Sequence, residues 1–269
     1  MKHLFFTLLT VGFISTHVWG KPTKEISTPE EKKFFDATFD SCEKVLNQIK
    51  EMPFVQELVR GKLSEERFSY YLLQDMPYLK ELAQQRDRLV NQLKEVQLEE
   101  DANQMAEKAE GLKAFAKKKT EDVFQGYCKG VFKNQTGVIP CLNAYLQHQT
   151  DSLNKGPACG AAALSPCPVV YYWLAAGLQH LSPAGNKYQQ WVDSYSKDEY
   201  GEGVAFWKTL YNTLAENASI AERLLMKKAF QQSVKHEYDF FHESYHNVDG
   251  TGSPQYISVG SKKTKEKQR

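Results

Sequence analysis

The segment Ala161–Leu181, AAALSPCPVVYYWLAAGLQHL, constrains this chain more than any other stretch, because it is apolar almost throughout. A helix that is apolar on every side has to be enclosed, either by other parts of the chain or by lipid. Two prolines interrupt the run and Gln179-His180 closes it, which argues against a membrane span. The chain itself must then wrap it. With 269 residues and 41% hydrophobic content it is long enough to bury such a core in a single domain. Cys167 lies between the two prolines, four residues before Tyr171, so on a helix thiol and phenol share a face. Taken alone, a cysteine in such a place is a small buried hydrophobe. The remaining sequence decides whether it is more.

Apolar spacing of three to four residues recurs along the mature chain and predicts helices throughout. Thr28-Pro29-Glu30-Glu31 reads as a helix start running to about Lys50, Pro53 ends that helix, and a second short helix is expected from Phe54 to Arg60. Ser64 caps a long helix to about Val96, with a kink expected at Pro77. A charged helix over Glu99–Lys119 faces outward. Further helices are expected at Pro140–Leu153, Ala161–Leu181, Asn186–Tyr195, Gly203–Asn217 and Ile220–Tyr245. No strand-like alternation lies between turn signals, so the fold class is all-α.

The ends read differently. Residues 1–20 carry Lys2, an apolar stretch from Leu4 to Ile14 and a small residue at Gly20, the pattern of a cleaved secretory signal peptide. Residues 21–33 form a linker and helix start, 34–246 the helical domain, and 247–269 a polar, basic, disordered tail. A net charge of +1 points to no nucleic acid, and with the signal removed no membrane partner is expected. Five cysteines, an odd number in an oxidising compartment, leave at least one thiol unpaired or paired with another chain. If Cys167 is that thiol, Cys42, Cys128, Cys141 and Cys159 can pair in three ways, with Cys128–Cys141 favoured across a loop. Asn134 and Asn217 begin glycosylation sequons.

Three polar groups interrupt apolar helix faces: Asp75 with Tyr71 and Tyr78 nearby, Cys167 with Tyr171, and Glu237 with Phe240 and Phe241. Burying a carboxylate costs several kcal/mol, roughly, unless it is paired or neutralised. Two such carboxylates and a thiol on three aromatic-flanked helices therefore suggest one pocket. It would suit a small, flat, nitrogen-rich ring, sandwiched by aromatics, with one carboxylate on ring nitrogen and amine, a thiol for nucleophilic addition and a second carboxylate for proton transfer. Tyr145, Tyr172 and Tyr195 are available to line it.

The ordered set YYLLQDMPYL, Pro166-Cys167 followed by Tyr171, and Glu237-Tyr-Asp-Phe240 resembles the TenA family, the thiaminase II or aminopyrimidine aminohydrolases. Pro53-Phe54-Val55-Gln56, Asn143-Ala144-Tyr145 and Tyr188-Gln189-Gln190-Trp191 leading to Tyr195 extend the resemblance from about Phe34 to Tyr245. It implies a haem-oxygenase-like helical bundle without haem or other cofactor, and hydrolysis of the C–N bond beside the aminopyrimidine of thiamine or of aminomethylpyrimidine, giving hydroxymethylpyrimidine. Cys167 would be the nucleophile of a cysteine-class member, Asp75 the ring anchor and Glu237 the proton donor and acceptor held by Tyr171. Tyr78, Tyr145, Tyr195 and Phe240 would shape the ring site. The resemblance also implies a homo-oligomer, a dimer or tetramer, although a secreted location departs from a generally cytosolic family.

Other readings compete. A secreted thiamine- or pyrimidine-binding protein without turnover would use the same pocket with a silent Cys167. His242-Glu243-Ser244-Tyr245-His246 matches the zinc-peptidase signature HExxH, but no histidine follows as a third ligand, and the expected metal is none. Glu243 and His246 also make one Glu-x-x-His step of the di-iron type, without a second.

Overall fold

A computed structural model describes residues 33–122 and 139–246, and every described regular element is helical. Expectations for the signal peptide, the linker, the basic tail, Cys128 and the Asn134 sequon fall outside these residues. The helices are α1 (Phe34–Asp40), α2 (Glu43–Lys50), α3 (Pro53–Val59), α4 (Glu65–Glu95), α5 (Glu99–Asp122) and α6 (Pro140–Leu153). They continue with α7 (Pro157–Leu164), α8 (Pro166–Leu178), α9 (Gln189–Ser196), α10 (Asp198–Glu216) and α11 (Ile220–His246).

Local chemistry sets most of these boundaries. Proline opens α3, α6, α7 and α8, where its missing N–H would have had no helical partner anyway. The Ser64 hydroxyl accepts a 3.3 Å bond from the Arg67 N–H, and Glu65 and Glu66 complement the positive end of α4. Helix α4 then runs through Pro77 without ending. At the start of α11, Ser219 and Glu222 form a reciprocal capping box, with bonds of 2.8 and 3.2 Å. That serine is also the third residue of the exposed Asn217 sequon.

Several boundaries differ from the sequence expectation, among them the start of the first helix, at Phe34 after an extended Lys33 and not at Pro29, and the start of α9, at Gln189 and not Asn186. The first helix breaks at Ser41-Cys42, where the Ser41 hydroxyl donates to the Thr38 carbonyl at 2.6 Å and competes with the backbone ladder. The Ala161–Leu181 segment is two helices meeting at Ser165, followed by a 3-10 turn over Gln179–Leu181. Pro166 has no N–H for the Ala162 carbonyl, and the Ser165 hydroxyl donates to it instead, at 3.4 Å. Helix α10 begins at Asp198, before Gly201 and Gly203. Gly201 is an approach point, since a Cβ there would meet the Tyr172 hydroxyl at 2.9 Å.

Helices α1 to α11 form one compact unit, with α5 laid along α4 and α11 touching α2, α3, α4, α6, α7 and α8. Every residue from Cys159 to Tyr171 is buried. The Pro157–Leu181 stretch is long and apolar enough to cross a membrane, yet most of it is enclosed by the other helices, as its prolines suggested. Cys42, Cys141, Cys159 and Cys167 are free and buried, so Cys42 and Cys159 are not bridged.

Candidate active site

A cavity of about 440 Å³ lies beside the first turn of α8. Its walls are single faces of helices, as the spacing of their residues shows. From α4 come Asp75, Leu79, Leu82 and Arg86; from α5 Lys108, Gly111, Leu112 and Phe115; and from α10 Tyr200, Gly203 and Trp207. Helix α8 contributes Cys167, Pro168 and Tyr171, and α9 contributes Ser194 and Tyr195. Four of the eight site residues expected from sequence, Asp75, Cys167, Tyr171 and Tyr195, thus reach one cavity.

The other four stand close behind it. Glu237, 1% exposed, accepts a 2.8 Å hydrogen bond from the Tyr145 hydroxyl. Tyr145 stacks on Tyr78 with centroids 5.3 Å apart, and Gln149 donates to the Tyr78 hydroxyl at 3.0 Å. Phe240 packs against Tyr71 at 5.3 Å. The task of holding Glu237, expected of Tyr171, therefore falls to Tyr145. The Tyr171 oxygen instead accepts from the Tyr71 hydroxyl at 3.1 Å, and Tyr71 accepts from the Trp191 indole at 3.3 Å. Tyr172, offered as a lining residue, faces a different cavity formed with Phe35, Phe39 and Trp173.

Electrostatics set the resting protonation states. Burial raises the Glu237 pKa to about 8, against a downward pull from the Tyr145 hydroxyl and with a smaller upward push from Asp75. Burial likewise drives the Cys167 thiol well above its ordinary value, reinforced by Glu237 and Asp75 and opposed by Arg86 and the Tyr78 hydroxyl. At neutral pH the free site holds a neutral thiol and a largely protonated Glu237. A proton donor poised near the working pH is suited to general acid–base transfer.

Sequence reasoning missed Arg86, Lys108, Tyr200 and Trp207. The signal for Arg86 was present, since positions 75, 79, 82 and 86 trace one helical face, but nothing local marked it as a cavity residue. The His242–Glu243–His246 signature does not line the cavity, and among the described residues no group of three potential ligands surrounds it.

The sequence profile of the TENA/THI-4/PQQC family matches residues 135–247. An aminopyrimidine aminohydrolase from Bacillus subtilis is 30% identical over 196 residues, covering 72% of this chain and 81% of the relative. One from Staphylococcus epidermidis is 27% identical over 211 residues, covering 76% and 90%. Among solved structures, a TenA homologue from Pyrococcus furiosus superposes with a TM-score of 0.70 at 18% identity, covering 79% of this chain and all of that one. A TenA homologue from P. horikoshii superposes with a TM-score of 0.62 at 20% identity, covering 80% and 99%. The fold is thus the haem-oxygenase-like helical bundle of these neighbours, and the chain is an enzyme of the TenA family.

Proposed function

We propose that this chain hydrolyses the bond between the exocyclic methylene carbon of a 4-amino-2-methylpyrimidine and its nitrogen leaving group, on thiamine or on aminomethylpyrimidine. A hydrolase role in thiamine salvage accords with the curated relatives, which are named aminopyrimidine aminohydrolases. The observation that carries the narrower reading is a buried thiol and a buried carboxyl in the wall of one aromatic cavity, with a second carboxyl, of pKa about 8, standing close behind them.

In this reading Asp75 binds the ring nitrogen and amino group, and the Cys167 sulfur adds to an electrophilic ring carbon as the thiol proton passes to the ring nitrogen. The ring electrons then expel the leaving nitrogen, which takes the proton held on Glu237. Water adds at the freed methylene carbon while the Glu237 carboxylate accepts its proton. The ring then releases the Cys167 sulfur, which takes its proton back from the ring nitrogen, giving hydroxymethylpyrimidine and the free amine or thiazole. Tyr145 keeps the Glu237 carboxyl aimed through its 2.8 Å bond. The wall formed by Tyr171 and Tyr195, whose centroids are 4.9 Å apart, stacks on the ring.

Incubation with thiamine and with aminomethylpyrimidine, monitored for hydroxymethylpyrimidine, tests the reading. Product from wild type and none from Cys167→Ser, with binding retained in both, supports it. Normal turnover by Cys167→Ser would remove the nucleophile assignment, and no product from either substrate would leave a binding protein. Secretory export belongs to the same proposal, motivated by the basic and apolar residues 1–20. Terminal sequencing of secreted protein should find Lys21 first, whereas a retained Met1 would exclude cleavage.

A further inference from the structure

Arg86 has no evident employment in the chemistry above. It is 7% exposed, lines the cavity wall, and among the described residues makes one hydrogen bond, from Nη1 to the Lys108 carbonyl at 3.3 Å. Its Nε is buried without a hydrogen-bond partner. The guanidinium lies 5.5 Å from the centroid of the Trp207 ring, and among the described residues no carboxylate pairs with it. A second cation, the half-buried Lys108, lines the same wall with its ammonium 4.9 Å from the Phe206 ring; it makes no close ion pair among the described residues, and Glu107 and Glu202 offset its desolvation only in part. A buried, unpaired guanidinium is costly, because neither its hydration nor a counter-charge is recovered on folding. The neighbouring Cys167 does not supply that charge, its thiol being neutral. The two cations also repel each other, since burial and then Arg86 lower the Lys108 pKa.

We infer that Arg86 and Lys108 form an oxyanion subsite, and that the preferred substrate carries a phosphate or carboxylate on its leaving group. This rests on the reading of Asp75 as the ring anchor. Arg86 is eleven residues beyond Asp75 on the same face of α4, which separates their Cα atoms by about 16 Å, and its side chain tilts back toward Asp75. An anion held by Arg86 therefore lies away from the Asp75 anchor, on the side of the ring where Cys167 adds. A planar guanidinium with free N–H groups suits either oxyanion, bonding two oxygens at once.

The test compares three substrates: thiamine, thiamine monophosphate and an aminomethylpyrimidine bearing a succinyl amide. Wild type, Arg86→Gln, Arg86→Lys and Lys108→Gln are assayed for kcat/KM and for the shift in melting temperature on ligand addition. Wild type is expected to prefer one anionic substrate over thiamine by roughly 10- to 100-fold, the scale of a charge-assisted hydrogen bond. Preference for the phosphate arm identifies a phosphate subsite, and preference for the succinyl arm a carboxylate subsite. Either preference should collapse in Arg86→Gln, shrink in Lys108→Gln and partly return in Arg86→Lys, which keeps the charge should the amide variant fail to fold. Equal use of thiamine and both anions by wild type overturns the inference while leaving the hydrolase reading intact. A proportional loss on all three substrates in Arg86→Gln also overturns it, and would give Arg86 the role of stabilising the Cys167 thiolate. If no substrate is turned over, an Arg86-dependent rise in melting temperature with an anionic ligand still supports the subsite, and only the hydrolase reading fails.

Discussion

Replacing Glu237 with glutamine isolates the one group whose protonation links stability to the chemistry. An ordinary glutamate titrates at 4.5, whereas Glu237 is raised to about 8 by burial. The folded protein therefore holds a proton that the unfolded chain releases between these values, so the contribution falls as pH rises from about 4.5 to about 8 and is constant outside that window. At 1.36 kcal/mol per pH unit the loss across the window is roughly 5 kcal/mol, an upper scale because water entering the open cavity lessens it. A glutamine side chain in its place keeps an acceptor for the Tyr145 hydroxyl but cannot ionise. Glu237→Gln should thus match wild type near pH 4 and be the more stable protein by about 2–5 kcal/mol at pH 9. Turnover should meanwhile fall by roughly 10²- to 10⁴-fold, the range expected for a lost general acid–base. Thermal melts and chemical denaturation of both proteins from pH 4 to 9 provide the measurement, and the difference between them cancels every other titrating group. Parallel stability profiles across that range would show that Glu237 is already ionised at neutral pH, and the proton-donor reasoning would be wrong.

Tyr145→Phe removes the hydroxyl that lowers the Glu237 pKa, so the basic limb of the pH–rate profile should move to higher pH, with about 1 kcal/mol of stability lost; an unmoved limb would detach Tyr145 from Glu237. His236 behaves oppositely, because burial, with help from His148, lowers its pKa to about 4. Its neutral form supports the fold above the ordinary value of 6.5, and that support is lost as pH falls from 6.5 toward 4, so His236→Gln should flatten acid denaturation, measured by melts between pH 4 and 7. In the core, a Cβ at Gly160 would meet the fully buried Leu153 side chain at 2.6 Å. Gly160→Ala should therefore destabilise the protein by about 1–3 kcal/mol through overpacking of α6 against α7, and an unchanged melting temperature would show that Leu153 can shift freely.

The helical class and the place of most helices were legible because they depend on short-range patterns. Periodicity of three to four residues marks a buried stripe, and proline at a first turn or a serine cap marks its start, whatever the chain packs against. The errors came where two local signals conflicted. Ser41 and Ser165 each supply a hydroxyl that competes for a backbone carbonyl, and each breaks a helix that apolar spacing alone would continue. Asn186 was equally invisible: its amide donates to the carbonyls of Leu58 and Val59 at 3.3 and 2.9 Å, closing the end of α3 across more than a hundred residues of sequence.

By itself the sequence determined the all-helical class, the apolar central segment and the candidacy of Asp75, Cys167 and Glu237, since a polar group on an apolar helix face is visible from spacing. Only the tertiary structure decided which tyrosine reaches Glu237, that Tyr172 faces another cavity, and that Arg86 stands in the wall without a counter-ion among the described residues. The reason is physical. A helix dictates which of its own residues share a face, whereas a hydrogen-bond partner or a shifted pKa depends on what the other helices bring to that face and on how much water they leave there.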